Sequence, residues 1–144
     1  MKIKNISILK HVARHLTYAV LFVATAAAVQ AADVSGTWTW TTPGRNGGPD
    51  HTNTLTLAVD GATLTGKVSA LGHGGKIVDT PIADGKVDGN NISFSVIRVN
   101  KENSVTNSFS GTVAADQITG KIGFVRDGEA KSRDWQATRS TDTK

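Results

Sequence analysis

The sequence predicts the all-β class: a secretory signal followed by one barrel or sandwich of about eight short antiparallel strands. Three observations predict it. Apolar and polar residues alternate with period 2 through most of residues 54–139. Turn pairs rich in Gly, Asp and Asn interrupt that alternation at the spacing of all-β domains. After the N-terminal segment, no long stretch carries a 3.6-residue apolar period.

The N-terminal segment is read first. Residues 1–15 hold Lys2, Lys4, Lys10 and Arg14 and no acidic residue, and Leu16 to Val29 is almost free of charge. Val29-Gln30-Ala31 follows, with small residues where a signal peptidase reads them. The apolar run is about 14 residues, short of the ~20 that a membrane-spanning helix needs. A cleavable signal over residues 1–31 is therefore expected, with cleavage after Ala31 and a domain over residues 32–144, periplasmic or secreted from a bacterial cell. The chain has 16 Lys and Arg against 12 Asp and Glu. Four of those basic residues lie in the signal, so the mature part carries twelve of each sign. The basic balance of the whole chain thus belongs to the signal and makes no case for nucleic acid, whose binding needs a clustered positive surface. There is no cysteine, and all 15 glycines lie in the mature part.

The strands follow in order. Gly36-Thr37-Trp38-Thr39-Trp40 is the first. Leu55, Leu57 and Val59 share one face of the second, and Leu64, Gly66 and Val68 one face of the third, with Asp60-Gly61 as the turn between them. Ile77 to Ala83 is a weaker strand, because Pro81 lacks a ladder donor and suits an edge or a bend. Ile92, Phe94 and Val96 alternate with Ser93, Ser95 and Ile97; Phe109, Gly111 and Val113 follow. Ile118, Gly120, Ile122 and Phe124 come next, and Trp135, Ala137 and Arg139 share the inner parity of the last strand. The expected interior stripe is Leu55, Leu57, Leu64, Val68, Ile92, Phe94, Val96, Phe109, Ile122 and Phe124. Thr65-Gly66-Lys67 and Thr119-Gly120-Lys121 echo each other. Glycine inside a strand relieves crowding where a strand coils sharply to close a barrel.

Trp38 and Trp40 share parity and point to one face. Core packing is the ordinary role of such a pair; a stacking platform for a sugar or aromatic ligand is the functional reading for Trp40. An inward Arg139 needs a partner, and if first and last strands pair, it lies over the Trp38 ring as a closing plug. The loop from Thr42 to Asn53, containing Arg45, lacks an apolar anchor and reads as a rim or lid. Arg98 is the other inward polar candidate. Gly72-His73-Gly74-Gly75-Lys76 lacks the Ser or Thr and the helix of a phosphate-binding loop. His51 and His73, with Asp50, have no spacing that fixes a metal geometry.

Gly36-Thr37-Trp38 near the start of a small exported chain, with Thr138-Arg139 at its end, resembles the calycins, the lipocalins and avidin-like barrels. Asp134-Trp135-Gln136-Ala137-Thr138-Arg139 also resembles a stretch near the avidin C-terminus. The resemblance implies a single antiparallel up-and-down barrel, a ligand cavity at one mouth and an N-terminal Trp packed on a C-terminal Arg. Biotin binding is not carried over, because avidin's ligand contacts are matched only at the Trp.

The functional expectation is a lipocalin-like binding protein that holds a small apolar or amphipathic ligand, or a sugar, in the barrel mouth. Its candidate ligand contacts are Trp40, Arg45, Phe94, Arg98, Phe109 and Trp135. The alternative is an exported protein-interaction module or inhibitor that works through exposed loops around a solid core. An enzyme ranks third, since no catalytic constellation stands out. No cofactor, no metal and, once the signal is removed, no membrane span is expected. Eight strands leave an interior just wide enough for side chains or one small ligand, so interior volume separates the first two readings.

Overall fold

Period-2 alternation builds eight strands, described here from a computed structural model that covers residues 33–72, 74–100 and 103–141; the expected signal and His73 lie outside the described residues. The strands are β1 (Gly36–Thr42), β2 (His51–Asp60), β3 (Thr63–Leu71), β4 (Ile77–Asp88), β5 (Asn91–Asn100), β6 (Asn103–Ala114), β7 (Gln117–Arg126) and β8 (Glu129–Arg139). Each pairs antiparallel with the next, and β8 returns to β1, closing an up-and-down barrel. Closure leaves no sheet edge around the base of the barrel.

Tight turns follow the chemistry of their residues. Asp60 pairs with Thr63, so the β2–β3 turn centres on Gly61-Ala62, one residue beyond the expected Asp60-Gly61. Gly61 has φ 61°, the conformation glycine adopts without strain. Asp127-Gly128 turns β7 into β8 with φ 55° and 78°, the positive pair of a type I′ hairpin.

Two expectations are corrected. Ile77–Ala83 is part of a longer strand, β4, which pairs with β3 and, from Ile82 onward, with β5; Pro81 lies on the stretch that is open toward β5, as an edge position would be. Its ladders shift register between Ala83 and Lys86 against β5, around Asp84, whose φ is 53°. A bulge there absorbs the bend that Pro81 suggested. Phe124 is half-buried rather than interior, because β7 and β8 run on past the last β6–β7 pair, Ser108↔Gly123. The Arg133 guanidinium lies 6.0 Å from the Phe124 ring.

The other nine stripe positions are buried, each with 6% or less of its surface exposed. Trp38, Val113, Ile118, Trp135 and Ala137 join them. At about 1.5–3 kcal/mol for each large apolar side chain, this core is the main stabilising term. The echoed glycines carry the coiling: a Cβ on Gly66 would lie 1.9 Å from the Thr56 carbonyl oxygen, and one on Gly120 1.9 Å from that of Ser110.

One end of the barrel is closed. Val34 is buried beneath it, and the Trp38 indole N–H donates to the Val34 carbonyl at 3.0 Å. Arg139 lies over the Trp38 ring, 4.2 Å from guanidinium carbon to centroid. The opposite end is open, and four hairpins lie there. Residues 97–100 of β5 and 103–107 of β6 pair only with each other, since the β4 ladder stops at Val96 and the β7 ladder at Ser108.

Candidate functional site

Below the open end, inward parity brings four aromatic rings together from four strands: Trp40 on β1, Phe94 on β5, Phe109 on β6 and Trp135 on β8. Phe94 and Phe109 face each other across the β5–β6 ladder and stack at 4.8 Å, 8° from parallel. Trp135 stands edge-on to Phe109 at 5.2 Å, to Phe94 at 6.1 Å and to Trp40 at 5.8 Å. Edge-to-face and offset-stacked pairs of this kind each add about 0.5–1.5 kcal/mol beyond burial. Glycines make the room: Gly111, Gly120 and Trp135 form one row across β6, β7 and β8. A Cβ on Gly111 would come within 3.4 Å of the Trp135 ring.

The box is polarised. Trp40 is half-buried, whereas Phe94, Phe109 and Trp135 are buried. The Trp135 indole N–H is buried and has no hydrogen-bond acceptor among the described residues. An unpaired buried donor costs roughly 1–3 kcal/mol. Asn53, whose side chain the sequence reading did not single out, fixes the neighbouring backbone. Its Nδ2 donates to Thr42 Oγ1 at 2.8 Å and to the Trp40 carbonyl at 3.4 Å. The signal for it was available, since Asn53 has the inner parity of Leu55 and Leu57 and is 8% exposed.

The expected residues do not all converge. Arg98 has inner parity with Phe94 and Val96, but it is exposed on the projecting β5–β6 hairpin, above the box. Arg45 lies in a one-turn 3₁₀ segment, Arg45–Gly47, within the β1–β2 connection. That connection is shorter than expected: β1 continues to Thr42 and β2 begins at His51, so only residues 43–50 are loop. Below the box the interior is lined by buried apolar side chains, Trp38, Leu55, Leu57, Leu64, Val113 and Ile118 among them. The larger described depression, about 560 Å³, lies outside, on the face formed by Ser93, Ser95, Ser108, Ser110 and Lys121. On that outer surface the Lys67 ammonium and the Ser69 hydroxyl hold the Asp79 carboxyl below its usual pKa, and Lys121 does the same for Asp134. These are exposed cross-strand pairs and have no catalytic setting. Among the described residues, no three His, Asp or Glu side chains come together as a metal site.

Eight antiparallel strands in sequence order, a closed end plugged by Trp and Arg, and an aromatic box below an open mouth define a calycin-like small β-barrel. The fold is similar to that in the crystal structure of apo shwanavidin (P1 form), an avidin-like protein, with a TM-score of 0.54 and 21% sequence identity. The alignment covers 74% of this chain and 96% of that one. At this identity the likeness is one of fold. In sequence, no family model and no curated protein matches the chain.

Proposed function

We propose that the chain is an exported binding protein that takes a small apolar or amphipathic ligand, or a sugar, at the open mouth, on the floor made by Trp40, Phe94, Phe109 and Trp135. One observation carries the reading: a connected cluster of four rings includes one half-buried ring, Trp40, and one buried donor with no acceptor among the described residues, Trp135 Nε1. Flat aromatic surface supplies affinity to an apolar body, and a lone buried donor supplies selectivity for a ligand that brings an acceptor. The four rings lie at the mouth end of the buried core, so the ligand would meet the box first. Export is supported by the basic start, the short apolar run and the small-residue exit of residues 1–31.

The test is native mass spectrometry of the protein isolated from its own source, followed by tryptophan-emission titration with fatty acids, aromatic acids and monosaccharides. A retained small organic mass is expected, with a mature N-terminus at Ala32. Trp40→Ala should weaken binding of the retained compound by about tenfold, the equivalent of ~1.4 kcal/mol. Trp135→Phe keeps a ring and removes the donor, so it should weaken only ligands that carry an acceptor. A bare mass together with no response to any compound in the panel would refute the reading.

A further inference from the structure

The open end carries a second feature, separate from the aromatic box. Of the four hairpins at that end, three, β3–β4, β5–β6 and β7–β8, bear exposed branched apolar side chains; β1–β2 does not. Ile77 and Val78 are 64% and 50% exposed on the first; Ile97, Val99 and Val105 are 43%, 78% and 48% exposed on the second; Val125 is 64% exposed on the third. Among the described residues, six of the seven exposed large apolar side chains thus ring one end; the other, Val59, is at the closed end. Isolated apolar residues on a surface need no explanation, but a ring of them at one end does.

Charge is segregated along the same axis. Around the mouth, Arg126 pairs with Asp127 and Lys131 with Glu129. Lys76, Arg98 and Arg133 remain exposed, without an ion pair among the described residues, against one exposed carboxylate, Asp50, in the β1–β2 connection. The closed end carries Asp33, Asp60 and Asp88 against Lys86, while its Asp116 is paired with Arg139. A chain whose mature part is neutral overall therefore has a positive open end and a negative closed end.

We infer that the open end docks on a lipid bilayer with anionic headgroups. The arrangement favours a lipid interface over a folded acidic protein. The apolar side chains sit on both faces of their strands: Ile97 and Val99 have outer parity, Val105 inner parity. A partner with one contact face would leave half of them wet, whereas the headgroup and upper acyl region surrounds a hairpin to a depth of ~5–10 Å. The unpaired cations then meet lipid phosphates, each strengthening binding by about fivefold at low salt.

The experiment is co-sedimentation of the chain beginning at Ala32, which retains all eight strands, with vesicles of phosphatidylcholine alone and of phosphatidylcholine mixed with phosphatidylglycerol. Binding to the anionic vesicles is expected, falling by about tenfold as salt is raised through the range where screening becomes short. The double substitution R98E/R133E should reduce it by more than about twentyfold. Val99→Asp and Ile77→Asp should each reduce it by about tenfold, and Val59→Asp at the far end should leave it unchanged. All these side chains are exposed, and circular dichroism checks that each variant keeps its strands. Three results overturn the inference: no binding to anionic vesicles, equal binding to neutral ones, or a dimer in solution that Val99→Asp dissolves. Ligand titration at the aromatic box is a separate readout, so failure here leaves that reading standing, and the reverse.

Discussion

Arg139 holds four things at once. Its guanidinium covers the Trp38 ring, its Nη1 donates to the Ser35 carbonyl at 2.7 Å, its Nη2 to the Asp33 carbonyl, and its Nε to Asp116 Oδ1 at 3.2 Å. Only a planar group with several fixed donors can do this. Gly36 leaves the space: its φ is 126°, and a Cβ there would lie 2.7 Å from Arg139 Nη1. Arg139→Ala should therefore lower stability by about 2–4 kcal/mol in urea denaturation, combining lost charge-assisted hydrogen bonds with lost cation–π contact. Arg139→Lys should recover less than half of that, since an ammonium cannot span the same acceptors. Parity alone places Trp38 and Arg139 on inner faces. The carbonyls of Asp33 and Ser35 belong to a segment without periodicity, and no pattern announces which side chain will reach them.

Strand interiors depend on how closely their neighbours approach. At Gly120 an added Cβ would sit 1.9 Å from the Ser110 oxygen and 2.5 Å from the Gly111 Cα, both backbone atoms that cannot swing aside. Gly120→Ala should cost about 3 kcal/mol or more, or prevent folding, because β6 and β7 must separate and Trp135 loses its seat. Gly61→Ala in an open turn should cost only about 1 kcal/mol, since nothing lies near it and only its backbone is strained. Thermal unfolding of the two variants side by side checks the contrast. The eight strands were legible because one face of nearly every strand meets the same core, which imposes period 2. Where a segment leaves the core, the signal fades. Residues 103–107 of β6 show no apolar alternation, because they pair only with β5 above the rim. Phe124 misleads for the same reason: its parity is inner, but the core stops below it. The box was legible as parity, since Trp40, Phe94, Phe109 and Trp135 all have inner positions. The unpaired indole N–H of Trp135 was not, because it depends on which acceptors the folded barrel fails to bring near.

The barrel as a whole is closed unevenly. Seven of its seams are long ladders, but β1 and β8 meet only at Trp38↔Arg139 and Thr39↔Thr138. Backbone direction shows what lies above that short ladder. The Arg139 N–H donates to the Asp116 carbonyl on the β7 side, and the Ser140 N–H to the Thr37 carbonyl on the β1 side. Neighbouring residues of a strand aim their backbone groups at opposite neighbours. Odd-numbered residues of β8 therefore face β7, where the ladder continues to Arg126↔Glu129, and even-numbered ones face β1. Ser132 and Asp134 thus turn their amides toward a strand with which the β1–β8 ladder gives them no pairing. Hydrogen–deuterium exchange should alternate along β8: Ser132 and Asp134 fast, Arg133 and Trp135 slow, because only the latter pair is held in a ladder. Uniformly slow exchange along β8 would mean that the seam is covered from outside. Trp40 and Trp135 flank this seam from β1 and β8, in edge contact at 5.8 Å. A ligand that settles on the box should slow exchange at Ser132 and Asp134 by bracing both tryptophans. Arg139→Ala, by loosening the lower clamp, should speed it there before it affects β2 or β3.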